Sequence, residues 1–95
     1  MRIADLRDGM RRVDVEGEIT EIGESRTVNL RTGDEATVAD CILRDDSGEI
    51  QTSLWDDQIS QVSNGSKVRI TNGYAASFRG ELRLIIGKYG KLEAL

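Results

Sequence analysis

Four aromatic side chains occur in this sequence, Trp55, Tyr74, Phe78 and Tyr89, and their placement is its first chemical feature. Trp55 closes the run Gly48 to Asp57, G-E-I-Q-T-S-L-W-D-D. Successive side chains of a strand point to opposite faces. Ile50, Thr52 and Leu54 therefore share one face, and Gln51, Ser53 and Trp55 share the other. The one tryptophan is out of phase with the aliphatic face, although aromatic rings ordinarily dominate burial in small cores. Two readings are open on this strand alone: Trp55 caps the core's edge, or its ring is held outside for contact. Tyr74 and Phe78 fall within N-G-Y-A-A-S-F-R-G, which reads as a solvent-facing loop. Flat π surfaces next to guanidinium groups do non-covalent chemistry, stacking on planar partners and attracting cations.

Catalytic chemistry lacks its usual residues. The sequence has no histidine and one cysteine, Cys41. That removes an internal disulfide, the nitrogen and sulfur ligand sets of structural zinc, and the Ser/His/Asp and Cys/His nucleophile arrangements. The carboxylate pairs Asp45/Asp46 and Asp56/Asp57 stand beside Ser, Gly or a helix start, where turn and capping roles are the commoner explanation. The expectation is a non-enzymatic protein with no cofactor and no metal. An 18-residue apolar run and a basic, apolar, small-residue leader pattern are both lacking, so the expected setting is soluble and intracellular, with no membrane partner.

Charge is unevenly spread. The net charge is −4, but residues 1–66 hold 7 Lys/Arg against 15 Asp/Glu while residues 67–95 hold 6 against 2. A local basic surface is what an anionic partner meets, because fields decay over a Debye length of about 10 Å. Arg69, Arg79, Arg83 and Lys88 in the final third are the candidate anion contacts, with Arg31 added from an earlier loop. Arg7 and Arg11 are read as part of an N-terminal lid, away from any such contact.

The elements follow from periodicity. Ile3, Leu6 and Met10 are spaced as one helical turn and a stop that plug the end of a core. Val13, Val15 and Ile19 alternate with acidic residues in a first strand, where the mid-strand Gly17 marks a bend or bulge. Residues 24–35 are polar and contain Thr32-Gly33-Asp34, a hairpin loop in which Val28 and Leu30 could extend either neighbour. The second strand places Ala39, Cys41 and Leu43 inward and Asp40 and Ile42 opposite. Cys41 then reads as a small buried apolar residue. Asp45-Asp46-Ser47-Gly48 is a tight turn into the Trp55 strand. A short helix with Ile59 and Val62 on one face ends at Asn64-Gly65. A fourth strand carries Val68 and Ile70 inward, and a fifth carries Leu82 and Leu84 inward with Arg83 and Ile85 outward.

Five strands with a helix between the third and fourth are the pattern of the OB-fold, an all-β Greek-key barrel, here one domain over residues 1–95. In that fold the second and third strands and the first and last hairpin loops make the binding face. Trp55, Tyr74 and Phe78 would converge on it, joined by Gln51 and Ser53, which share Trp55's face. Rings of this kind stack nucleic-acid bases while Arg and Lys track phosphates.

The run D-x-S-G-x-I-x-x-S-L-W-D-D, the loop N-G-Y-A-x-x-F-R-G and the strand R-L-I-I-G resemble single-stranded DNA-binding proteins of the replication protein A type, especially the small single-OB members of archaea and animals. The resemblance runs from about Ile3 to Leu92. It implies binding of exposed single-stranded DNA in replication, recombination or repair, without catalysis, alongside replication or repair proteins as partners. It also implies stacking at Trp55, Tyr74 and Phe78. Where relatives often carry another aromatic on the fifth strand this chain has Ile85, which offers no π-face, and Tyr89 is the substitute to consider. Two alternatives remain open: an RNA-binding OB domain, because stacking does not read the sugar, and a protein-interaction module built on the same aromatic patch.

Overall fold

The computed structural model describes residues 1–87 and 90–95, so Lys88 and Tyr89 lie outside the described residues. A 3₁₀ turn, Ile3–Asp5, precedes β1 (Val13–Thr20), β2 (Arg26–Asn29), β3 (Glu35–Asp45), β4 (Gly48–Trp55), α1 (Asp57–Gln61), β5 (Lys67–Phe78), β6 (Glu81–Ile85) and β7 (Lys91–Ala94). Strands β1, β3, β4, β6 and β5 form a closed ring, because β5 pairs back onto β1. Of its pairings only β4 with β6 is parallel. Strands β2 and β7 add to the ring from outside, on β3 and β5. The expected five-stranded barrel is this ring.

Side chains of alternate residues fill it. Val13, Val15, Ile19, Leu43, Leu54, Val68, Ile70 and Leu84 are buried together, as the period of two in each strand requires. Cys41 is buried among them, and burial first, then the charge of Asp40, pushes its thiol up to about 12. Thr52 is the polar residue on this face, and its hydroxyl donates to the Leu84 carbonyl at 2.8 Å. That bond ties β4 to β6 next to their paired residues Thr52 and Leu84. Ile3 and Leu6 plug one end. The turn between β3 and β4 holds this lid: Asp45 accepts from the Ile3 amide at 2.9 Å, and the Ser47 hydroxyl accepts from Ala4 at 3.0 Å.

Strands that turn corners let the ring close. β1 pairs with β5 through Glu18 and with β3 from Glu18 onward. At Gly17 a Cβ would lie 2.7 Å from the Arg44 carbonyl oxygen, so glycine permits the approach of β3 there. β5 turns at Asn72-Gly73: its first half pairs with β1 and β7, its second with β6. Asn72 has φ +56, a left-handed conformation that asparagine tolerates better than most residues.

Four expectations change. Residues 26–29 form β2, paired with β3, so part of the polar loop is a short strand. The helix consequently lies between β4 and β5 in chain order. Tyr74 and Phe78 belong to β5, not to a loop, and the hairpin is only Arg79-Gly80, both with positive φ as a tight two-residue turn demands. Asp56 makes no side-chain cap on α1; its carboxylate accepts from the Thr37 amide at 2.9 Å and prolongs the β3–β4 pairing. β7, which buries Leu92, has no counterpart in the sequence reading. Among the described residues no helix is long and apolar enough to cross a membrane.

Candidate nucleic-acid interface

Register places the outward residues in rows across the sheet. Ile42 pairs with Gln51, Gln51 with Arg83, and Arg83 with Ala76, a row spanning β3, β4, β6 and β5. Next to it, Asp40 pairs with Ser53 and Ile85 with Tyr74. Trp55, Tyr74 and Phe78 are 36%, 42% and 58% exposed, whereas Leu54, one residue from Trp55, is fully buried. The ring of Trp55 is thus on the outer face and not part of the core. Ser53, Trp55, Phe78, Arg83 and Ile85 line a shared apolar cleft of about 270 Å³.

Two guanidinium groups flank Phe78. Arg79 lies 5.4 Å and Arg83 5.5 Å from its ring centroid, within the roughly 6 Å over which a cation is attracted to a π face. The Arg83 Nε is buried and has no hydrogen-bond partner. An unmade bond of this kind costs free energy. The ring therefore holds two guanidinium groups on this face of the sheet.

The face also contains an acid. Asp40 accepts from the Ser53 hydroxyl at 2.9 Å and forms an ion pair with Arg26 at 3.3 Å. Arg26 offsets a charge that would otherwise repel an anion. These contacts engage the Ser53 hydroxyl within the protein.

Of the candidate residues, the fold brings together Trp55, Tyr74, Phe78, Arg79, Arg83, Ile85, Gln51 and Ser53. Arg31 sits at the exposed tip of the β2–β3 hairpin. Arg69 lies on the other half of β5, between Glu16 and Glu93 of the neighbouring strands, and donates to Glu16 from Nε at 2.8 Å and Nη2 at 2.6 Å. The bond to Glu16, chiefly, raises its pKa. Lys88 and Tyr89 fall outside the described residues. Missed residues include Asp40 and Ile42, although alternation had set both opposite the core. The Asp46-Ser47 turn aligns Asp45 with Gly48, and counting back from it gives their partners. Among the described residues no group of three or more His, Cys, Asp or Glu is placed to hold a metal ion.

A closed five-stranded ring with an aromatic, cationic sheet face defines an OB-fold barrel. The family model for single-stranded DNA binding protein, Ssb-like, OB fold, matches residues 9–94, and the chain belongs to that family. It is 25% identical over 91 residues to the Single-stranded DNA binding protein Ssb of Saccharolobus solfataricus, covering 96% of this chain and 61% of that protein. The chain thus spans about three fifths of that relative's length. Among solved structures, it resembles an OB domain from Thermoplasma acidophilum with TM-score 0.83 and 26% identity, over 100% of this chain and 85% of that one. It also resembles the replication factor A related protein of Methanobacterium thermoautotrophicum with TM-score 0.79 and 26% identity, over 100% of this chain and 89% of that one.

Proposed function

We propose that this chain binds single-stranded DNA without catalysis, stacking bases on Trp55, Phe78 and Tyr74 while Arg79 and Arg83 meet phosphates, in replication, recombination or repair. The observation that carries the reading is the shared cleft: Trp55, Phe78, Arg83 and Ile85 line one apolar slot on the sheet, with two cations held against the Phe78 ring. Base–aromatic stacking contributes about 1–3 kcal/mol per base and tolerates any sequence, because every base has a π face. Ile85 packs against a base edge without stacking. Membership of a single-stranded DNA-binding family supports the choice of ligand.

Trp55 is both the contact and the reporter. Titration with oligo-dT is expected to quench its emission, while a duplex of equal length binds far more weakly because paired bases are not free to stack. Equal affinity for the two would defeat the stacking model. Competition between oligo-dT and oligo-U of equal length then separates a DNA preference from general single-strand binding.

A further inference from the structure

A second groove adjoins the face beyond Tyr74. Arg11 and Arg12 line one side of it, Asn72, Gly73 and Tyr74 another, and Gly87 closes it; its volume is about 470 Å³. Clefts of about 300–1,000 Å³ hold small ligands, so one nucleotide unit fits. Tyr74 belongs to both sites, since it borders this groove and pairs with Ile85 of the face.

The backbone explains why two consecutive arginines line one groove. Ala75 exchanges hydrogen bonds with the segment before β1, accepting from Gly9 at 2.8 Å and donating to the Met10 carbonyl at 2.8 Å. Val13 pairs with Gly73, and the register shifts between Val13 and Val15. Residues 11 and 12 are thus held between two anchored points opposite Tyr74, and Arg12 takes φ +54. Both side chains are exposed. Among the described residues the ion-paired cations are Arg26, Arg44 and Arg69, so Arg11 and Arg12 are not among them. Neither nearby acid is ion-paired to them: Asp8 accepts from the Ser77 amide at 2.8 Å, and Asp14 accepts from the amide of Asn72 in the groove wall at 2.9 Å.

We infer that the Arg11–Arg12 groove is an extension of the single-strand site, taking the sugar and phosphates of the nucleotides that continue past the base stacked on Tyr74. The inference rests on the function proposed above and deepens it. It reverses the expectation that Arg11 belongs with the lid and is indifferent to the ligand.

The test compares the wild-type chain with Arg11→Gln/Arg12→Asn, in which asparagine suits the positive φ at position 12. Arg2→Gln is the charge control, since Arg2 lines a groove with Arg69. Trp55 quenching is measured with oligo-dT of about four and about eight nucleotides, near the lower end of site sizes for one OB fold. The double variant is expected to bind the shorter oligomer like wild type and the longer one several-fold more weakly. Its slope of log affinity against log salt on the longer oligomer should be shallower by about 1.4, two phosphates at about 0.7 each. Arg2→Gln should leave the slope unchanged. If the double variant matches wild type at both lengths, or if Arg2→Gln alters the slope equally, the groove is not part of the site, although the proposed function stands. If wild type is quenched by neither oligomer, the proposed function itself fails and the inference with it.

Discussion

Beside the two halves of β5, outward arginines are put to opposite effect. In the first half Arg69 projects between Glu16 and Glu93 and is held by Glu16, on a side of the barrel where Asp14, Asp45 and Asp46 line the same groove. In the second half Tyr74 and Phe78 project beside Arg83 of β6 and Arg79 of the turn, with no carboxylate ion-paired to either arginine among the described residues. An outward arginine on a strand is not by itself a ligand contact. Neighbouring strands decide whether its charge is satisfied internally or left for a partner, and those neighbours change at the Asn72-Gly73 corner.

The largest effect expected along this strand is on folding. Ile70→Ala truncates a fully buried side chain in the first half and should lower stability by about 2–5 kcal/mol, read from urea unfolding. Phe78→Ala and Tyr74→Ala should reverse the pattern, each weakening oligo-dT binding by about 1–3 kcal/mol while the unfolding midpoint barely moves. The same contrast recurs on β4 between Leu54→Ala and Trp55→Ala. If Trp55→Ala unfolds the barrel, its ring supports the core and the division between faces fails.

Arg79 gives a sharper, smaller effect. It occupies the first position of a two-residue turn at φ +53, where Asn-Gly is preferred and a non-glycine residue in the left-handed region costs of order 1–3 kcal/mol. Arg79→Asn should therefore raise the unfolding midpoint and make the salt slope of DNA binding shallower by about 0.7, one phosphate contact. Arg83→Ala should give a similar change in slope. Arg69→Ala should give none, because its charge is satisfied by Glu16; a matching change would erase the difference between the two halves.

The smallest expected effect is on the lid. Desolvation tends to raise the Asp45 pKa, but hydrogen bonds from Ser47, Ile3 and Gly48 together outweigh it and hold the carboxyl below the usual range. A lowered folded-state pKa means that its stabilisation is present above the unfolded value of about 3.9 and is lost as pH falls through the folded value. Amide exchange at Ile3 and Ala4 should accelerate over that acidic window while the core strands stay protected. Asp45→Asn should remove the pH dependence and leave DNA binding unchanged.

Inward and outward faces were legible without coordinates, because a period of two is a local property of the chain. Trp55 out of phase with Leu54, Cys41 in phase with Leu43, and the Asp46-Ser47 turn that sets the β3–β4 register are all likewise local. The sequence could not determine which outward charges meet. Glu16 and Arg69 are 53 residues apart, and their pairing follows from the β1–β5 register that closes the ring. Nor could it show that Tyr74 and Phe78 lie on a strand, since the Asn-Gly and Arg-Gly pairs around them look like the two ends of a loop. The first is a corner within β5 and the second a tight turn, a distinction set by pairing with β1 and β6. Arg11 and Arg12 reach the neighbourhood of Tyr74 for the same reason: their position follows from hydrogen bonds that Gly9, Met10 and Val13 make to a strand some sixty residues away.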